Sequence, residues 1–546
     1  MSSVPEMKKT FIIDQIKLPL DSLEGDAVYR AKKKLTSVIS RLDGISFVVR
    51  RRSLDARDKN DLRFVWSVSA VGDFSERECE RLCGAGIRES RARAPLASLA
   101  PGDPTRSTPD APPVIVGAGP CGLFCALILA EAGYRPILIE RGDSIDGRRC
   151  AIDRFYRERV LDCESNIQFG AGGAGAFSDG KLVCRTNDEY TDYVLGRLAG
   201  FGAPGNIVYE ARPHIGTDIL PTVVSNIVDA IEAAGGKVMF RTRMDGIRTS
   251  ASRAVAVETS SGEIACGGLI LACGHSARDT YRMLLDRGFA VEAKSFSVGV
   301  RIEHRREDID RAMYGKFAGH SALGSAEYSL SCNTSTRGVY TFCMCPGGEV
   351  LAAASEEGMV AVNGMSRSAR DGRNSNAAVA VSIFREDYGS DPMRAIEFQR
   401  DIERAAYAAG GGGYSAPVCT VGDFLEGRCA TEPSYVTPTY MDGNGATLAS
   451  PDAYLPELVT SALRGALPIF GRKIRGYDDP RAVLTGAETR TSSPLRVLRG
   501  SDGVALGFDN IYPCGEGAGY AGGISSAAID GIRTAEAYIR KFVKHI

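Results

Sequence analysis

Residues 114–122 read VIVGAGPCG, and Glu140 closes the apolar run YRPILIE downstream. A short apolar strand, a G-x-G-x-x-G turn (Gly117, Gly119, Gly122), a helix through LFCALILAEAG and a second strand ending in an acid make one βαβ unit. The glycines serve a tight turn, close backbone approach to a pyrophosphate, and close helix–strand packing. The helix start, with Pro120 and Cys121 in its first turn, offers free N–H groups and partial positive charge to that pyrophosphate. Glu140, with Arg141 beside it, lies where a carboxylate accepts hydrogen bonds from a ribose diol. Together these features predict a dinucleotide site in a Rossmann-type α/β fold.

The rest of the composition narrows the class. A chain of 546 residues has room for two or three domains. A net charge of −1 points neither to nucleic acid nor to a membrane surface. The opening MSSVPEMKKTFIID lacks the apolar core of a secretory signal. Residues 111–130 are uncharged and as long as a membrane span, yet three prolines and three glycines break them into strand, turn and helix. Fifteen scattered cysteines fit no zinc spacing, and the five histidines include no close pair, so no metal site is expected. An odd cysteine count in a long chain suits a reduced, cytoplasmic setting.

Five segments are expected. Residues 1–86 form a small N-terminal α/β module, and 87–112 a Pro-rich linker. Residues 113–295 are the first part of the dinucleotide fold, 296–480 an inserted substrate domain, and 481–546 a C-terminal return to the dinucleotide fold. Within the first part, 217–236 reads as an amphipathic helix. KVMFRTRMDGI, RAVAVETSSG and EIACGGLILAC follow as a β-meander, with Met244 placed to offer its backbone to an adenine. SARDTYRMLLDRG reads as a helix capped by Ser276. From Phe296 the pattern becomes that of an antiparallel sheet, followed by helices over 392–409 and 453–467.

Two further glycine-rich segments bear on the ligand. CGEGAGYAGG, with Gly515, Glu516 and Gly517, precedes a helix opening at Gly523 and Ile524. A loop with so little side chain lets a planar group and a phosphate chain lie against backbone N–H groups. NIQFGAGGAGAFSDGKL supplies Gln168, Gly172, Gly173 and Lys181, the lysine being a cation suited to the N1–C2 carbonyl region of a flavin. A surface loop with a solvated lysine accounts for that stretch equally well. Of the G-x-G-x-x-G spacings, which include 117–122, 170–175 and 517–522, only the first closes into a βαβ unit ending in an acid, so NAD(P)H has no dedicated domain. FAD, long enough to run from the first βαβ unit to a distal loop, is the better ligand.

Several strings resemble the bacterial family of uncharacterised FAD-dependent dehydrogenases of the NAD(P)/FAD-dependent oxidoreductase superfamily. They include ILIERGDSID, ESNIQFGAGGAGAFSDGKL, LACGHSARDTYRML, FSVGVRIEH, FCMCPGGEVLAAASEEGMVAVNGMS and YPCGEGAGYAGGISSAAIDGI, with IKLPLD and FVVRRRSLDAR near the start. The resemblance spans nearly the whole chain. It implies an FAD-binding fold of the two-dinucleotide, Rossmann type with an inserted substrate domain, in which Gly117, Gly119, Gly122, Glu140 and Gly515–Gly517 hold FAD. It implies no substrate.

Catalytic candidates follow from what flavin chemistry asks of a protein: orientation of the substrate and a base. His275 follows the strand LILACG, where the chain passes near the cofactor with Gly274. It serves there as a base or a flavin hydrogen bond, or as a structural histidine near a helix start. His304, ending FSVGVRIEH, faces the substrate or sits at a strand edge. Cys343 and Cys345 share a strand face and read best as core thiols. Residues 28–60 carry ten Lys/Arg against three Asp, for which a solvated surface is favoured over a nucleic-acid or acidic-partner site. The expected function is a dehydrogenase or reductase passing hydride between a small molecule and flavin N5. An O₂-using oxidase or monooxygenase, and a non-catalytic flavin-holding protein that docks a partner, remain open.

Overall fold

The computed structural model describes residues 8–90, 94–96, 107–183 and 188–544. At its centre five parallel strands run in the spatial order 511–513, 268–271, 113–116, 137–139, 237–239. All four residues of Pro113–Val116 are buried, as an apolar run covered on both faces must be. Helix Pro120–Glu131 buries every residue from 121 to 130. It is sandwiched between the sheet and two helices, Leu220–Ala233 and Ile524–Lys541. Glycines set these distances. A Cβ at Gly122 would stand 1.9 Å from the Gly117 carbonyl oxygen, and one at Gly531 2.1 Å from that of Cys121.

An antiparallel sheet of Met244–Ser250, Arg253–Thr259 and Gly262–Ala265 covers the other face. The expected meander is therefore split at both ends. Lys237–Met239 and Gly268–Leu271 belong to the parallel sheet instead. Short apolar runs carry no mark of which sheet they join, and the break falls at Gly267, whose Cβ would meet the Ala111 carbonyl at 2.0 Å.

The inserted domain is a seven-stranded sheet in the order 331–333, 338–345, 374–383, 296–305, 483–488, 416–420, 446–448. Its pairs are antiparallel except 416–420 with 446–448 at one edge. Helices Pro392–Ala409 and Glu457–Lys473 pack on it. Val483–Glu488 pairs with Phe296–Arg305, so this sheet draws a strand from beyond residue 480. The two crossings between domains run side by side, Val291–Ala293 against Leu495–Val497.

The N-terminal module is an antiparallel sheet in the order 46–55, 63–72, 9–18, 88–90, with helices Glu24–Thr36 and Glu76–Gly84. Arg88–Ser90 thus extends the module past residue 86. Of the Pro-rich stretch, 91–93 and 97–106 lie outside the described residues. The basic run is partly engaged within the chain. Arg52 exchanges backbone hydrogen bonds with Tyr209 and Ala211, pairs with Glu210, and lays its guanidinium over Phe64 and Trp66. Arg50 pairs with Asp192. The edge strand is thereby covered by the dinucleotide domain. No described helix is long and apolar enough to cross a membrane.

Candidate functional site

A cavity of about 490 Å³ runs from the carboxyl ends of the parallel strands to the inserted sheet. Its dinucleotide end is bare backbone. Gly117, Gly119, Pro120 and Cys121 line it at the first helix start, and Gly523 and Ile524 at the last. A Cβ at Gly119 would lie 3.9 Å from the Gly173 Cα, and one at Gly274, Gly522 or Gly523 would meet nothing within 4 Å. Helix starts 120 and 524 thus present their N–H groups to one space. Met244 and Gly173 also line it.

Glu140 lines the cavity, but its carboxylate is already committed. Oε2 accepts from Ala118 N at 2.7 Å, and Oε1 from Gly142 N and Gly170 N, both at 2.9 Å. Three of roughly four acceptor sites are used. A ribose hydroxyl therefore finds one acceptor on Oε2 rather than a free carboxylate. Arg141 lies over the Phe169 ring and forms paired bonds with Glu164 and Asp279. A residue that motif reading missed holds the middle loop. Arg148, fully buried, donates to the carbonyls of Asn166, Ile167 and Ala171 at 2.7–2.8 Å. Gly170 is required beside it, since a Cβ there would come within 2.6 Å of Arg148 Cδ.

His275 and Glu516 meet in this space, Nδ1 to Oε1 at 3.3 Å. His275 Nε2 is buried and has no partner, and the same is true of Gln168 Nε2. Both residues line the cavity. Ser276 is not the expected cap. Ala277 takes the N-cap position, and the Ser276 hydroxyl donates to Gln168 Oε1 at 3.0 Å. Four of the expected cofactor glycines do not line the cavity, Gly122 being the one whose expected task was helix–strand packing. Gly122 abuts the Gly117 carbonyl, Gly172 turns toward Ala176 and Val224, Gly515 gives its N–H to Asp530, and Gly517 lies on the Gly274 backbone. His304 is also removed from the cavity: buried against the Tyr477 ring, its Nε2 bonds the Tyr477 carbonyl at 2.7 Å, and burial lowers its pKa.

The opposite end is polar. Lys181 lies 3.8 Å from Asp179, which Arg370 grips with Nε and Nη2 at 2.9 and 2.5 Å. Burial raises the Asp179 pKa, but Lys181 and Arg370 bring it net below the usual range. Arg370 also holds Glu327, which Arg212 reaches at 3.2 Å. Arg490 lines the cavity and shares buried Glu403 with Arg278. The cysteine pair departs from its expected shared core face. A register shift between Phe342 and Cys345 gives Cys343 a φ of +39°, and both thiols line the cavity. Cys343 is exposed, whereas Cys345 is buried and burial raises its pKa, which keeps it a neutral thiol. Arg212, Glu327, Arg490 and Asn363 come singly from separate elements, and no local spacing announces them. Among the described residues no cluster suits a metal.

The arrangement fits FAD on three grounds: two bare helix starts facing one cavity, space where side chains are missing, and two unpaired buried nitrogens, the Gln168 amide and His275 Nε2. Comparisons agree. Residues 295–491 match the family described as "FAD-dependent protein, C-terminal domain-like", and 115–177 match "NAD(P)-binding Rossmann-like domain". The second match covers the first βαβ unit already described. An uncharacterised protein of Clostridium beijerinckii is 43% identical over 97% of this chain and 98% of its own length. Solved structures offer distant likenesses. Glycine oxidase from Bacillus cereus is 11% identical with a TM-score of 0.34, covering 80% of this chain and 99% of that one. The aromatic hydroxylase CabE is 10% identical with a TM-score of 0.34, covering 79% and 62%. The end-to-end identity with the clostridial protein and the C-terminal match together show that the chain belongs to this FAD-dependent family.

Proposed function

We propose that the protein is a cytoplasmic FAD-dependent dehydrogenase or reductase acting on a small molecule that enters between the cofactor cradle and the inserted sheet. The observation that carries this reading is the continuity of one cavity from the glycine helix starts to the polar wall at Lys181 and Arg490. FAD, when bound, supplies a two-electron acceptor for a substrate hydride. The chain's own part is to orient and to hold protons. Glu140 and Arg148 fix the loops around the cradle through main-chain groups. Glu516 sits against His275 Nδ1, which leaves Nε2 to accept or return a substrate proton within the cavity. Engagement of Arg50 and Arg52 within the chain weighs against a purely partner-docking role.

The test is anaerobic reduction of the purified holoprotein by a metabolite panel, NADH and NADPH, followed at the flavin band. Bleaching by a small molecule, with slow reoxidation in air, is expected. Reoxidation by O₂ as fast as turnover would replace this reading with the oxidase one. A flavin that no small molecule reduces would remove it.

A further inference from the structure

We infer that the substrate is a carboxylate, held between Lys181 and Arg212 at the sheet end of the cavity. This rests on the proposed function and names the substrate class for the same site.

Five charged side chains alternate in sign at this end of the cavity. Lys181 approaches Asp179, Asp179 is held by Arg370, Arg370 also holds Glu327, and Glu327 is reached by Arg212. Three cations and two anions leave a net charge of +1. His214 packs at this cluster, its Nε2 on the Ser368 carbonyl. Its burial, together with Arg370, lowers its pKa, so it adds little charge at neutral pH. The inner cation is saturated: Arg370 makes three bonds to two carboxylates. The terminal cations are not. Lys181 has no hydrogen-bond partner among the described residues, its nearest carboxylate oxygen being 3.8 Å away. Arg212 spends one Nη1 contact on Glu327. Both terminal cations line the cavity.

The other arginines lining the cavity are satisfied internally, and the Glu516 carboxylate lies against His275. Arg490 is bonded to both oxygens of Glu403 and to Ser355. Arg141 is bonded to Glu164 and Asp279, and Arg243 to Glu164 and Asp245. An ammonium about a quarter exposed, without a hydrogen-bonded counter-anion, is a site whose desolvation is offset by a ligand's negative charge. One carboxylate neutralises the surplus. Asn363 adds a neutral group on the same wall: its Oδ1 accepts from Arg301 and Gly364, which leaves the amide N–H₂ as donor.

The test is titration of the FAD-loaded full-length protein with benzoate and benzamide, and with acetate and acetamide, read as perturbation of the flavin band. Each acid is expected to bind at least about tenfold more tightly than its amide. Lys181→Met and Arg212→Met should each weaken the acids by about tenfold while leaving the amides unchanged. If Lys181 serves only the flavin, Lys181→Met will shift the flavin spectrum and alter acid and amide binding equally, which overturns the inference. Equal affinity for acid and amide in the unmodified protein, or no response to either acid at millimolar concentration, overturns it as well. A protein that retains no FAD refutes the cofactor reading instead, and its colour separates that failure from this one.

Discussion

Glu403 offers the sharpest test of how the domains are held around the cavity. Its carboxylate, with no solvent exposure, accepts five hydrogen bonds. Arg278 supplies two at 2.8 and 2.9 Å, Arg490 two at 3.0 and 3.2 Å, and the Thr489 hydroxyl one at 2.6 Å. Arg278 starts a helix of the dinucleotide domain, Glu403 lies on a helix packed on the inserted sheet, and Arg490 follows that sheet's strand 483–488. Glu403→Gln keeps the shape and removes the charge. The least costly orientation places the amide nitrogen at Oε2, where two guanidinium donors then face another donor. Two lost charge-assisted bonds at about 1.5–3 kcal/mol each give about 3–6 kcal/mol. Breaking a buried pair from one side gives a similar range, about 3–5 kcal/mol. Urea denaturation followed by fluorescence and flavin release should show that loss. Glu397→Gln, which breaks half-exposed pairs with Arg400 and Arg404, should cost less than about 1 kcal/mol. Burial raises the Glu403 pKa, but Arg278 and Arg490 bring it net below its ordinary 4.5. Its stabilisation is therefore complete above pH 4.5 and fades as pH falls below that value, so the gap between wild type and Glu403→Gln should close in acid. A loss under about 1 kcal/mol at neutral pH would refute the clasp.

Other substitutions probe the cradle. Gly119→Val should leave a folded protein, since its Cβ makes only ordinary contact, but should strip FAD, measured as the visible-to-ultraviolet absorbance ratio. Gly122→Ala should instead reduce soluble yield, because its Cβ overlaps the Gly117 carbonyl. Arg148→Met should cost about 3–5 kcal/mol by orphaning buried carbonyls and should lower FAD retention, both read in one thermal melt with and without added FAD. His304→Asn should leave kcat unchanged. Burial holds the folded His304 pKa below 6.5, so the unfolded chain binds more protons below that pH and stability drops there. The variant should flatten that part of the stability–pH curve.

Local chemistry made the first helix start legible. Strand, glycines, helix and Glu140 lie within one stretch of chain, and each has a fixed geometric task. The return at Gly523 was readable for the same reason. What sequence hid was of two kinds. Glu140 looked like a free ribose acceptor, and only the fold shows Gly142 and Gly170 folding back to occupy it. The polar wall was invisible because Arg212, Glu327 and Arg370 are scattered singly and converge through tertiary packing. His304 ends an apolar strand run, and burial on both faces of that strand left its ring in the core rather than in the cavity.

The account stands on one cofactor gripped where two glycine-lined helix starts face each other. Flavin released by denaturing the purified protein, quantified per chain and repeated after reconstitution with FAD, tests this directly. The account predicts about one FAD per chain, lost in Gly119→Val. A colourless protein that takes up no FAD on reconstitution would contradict it.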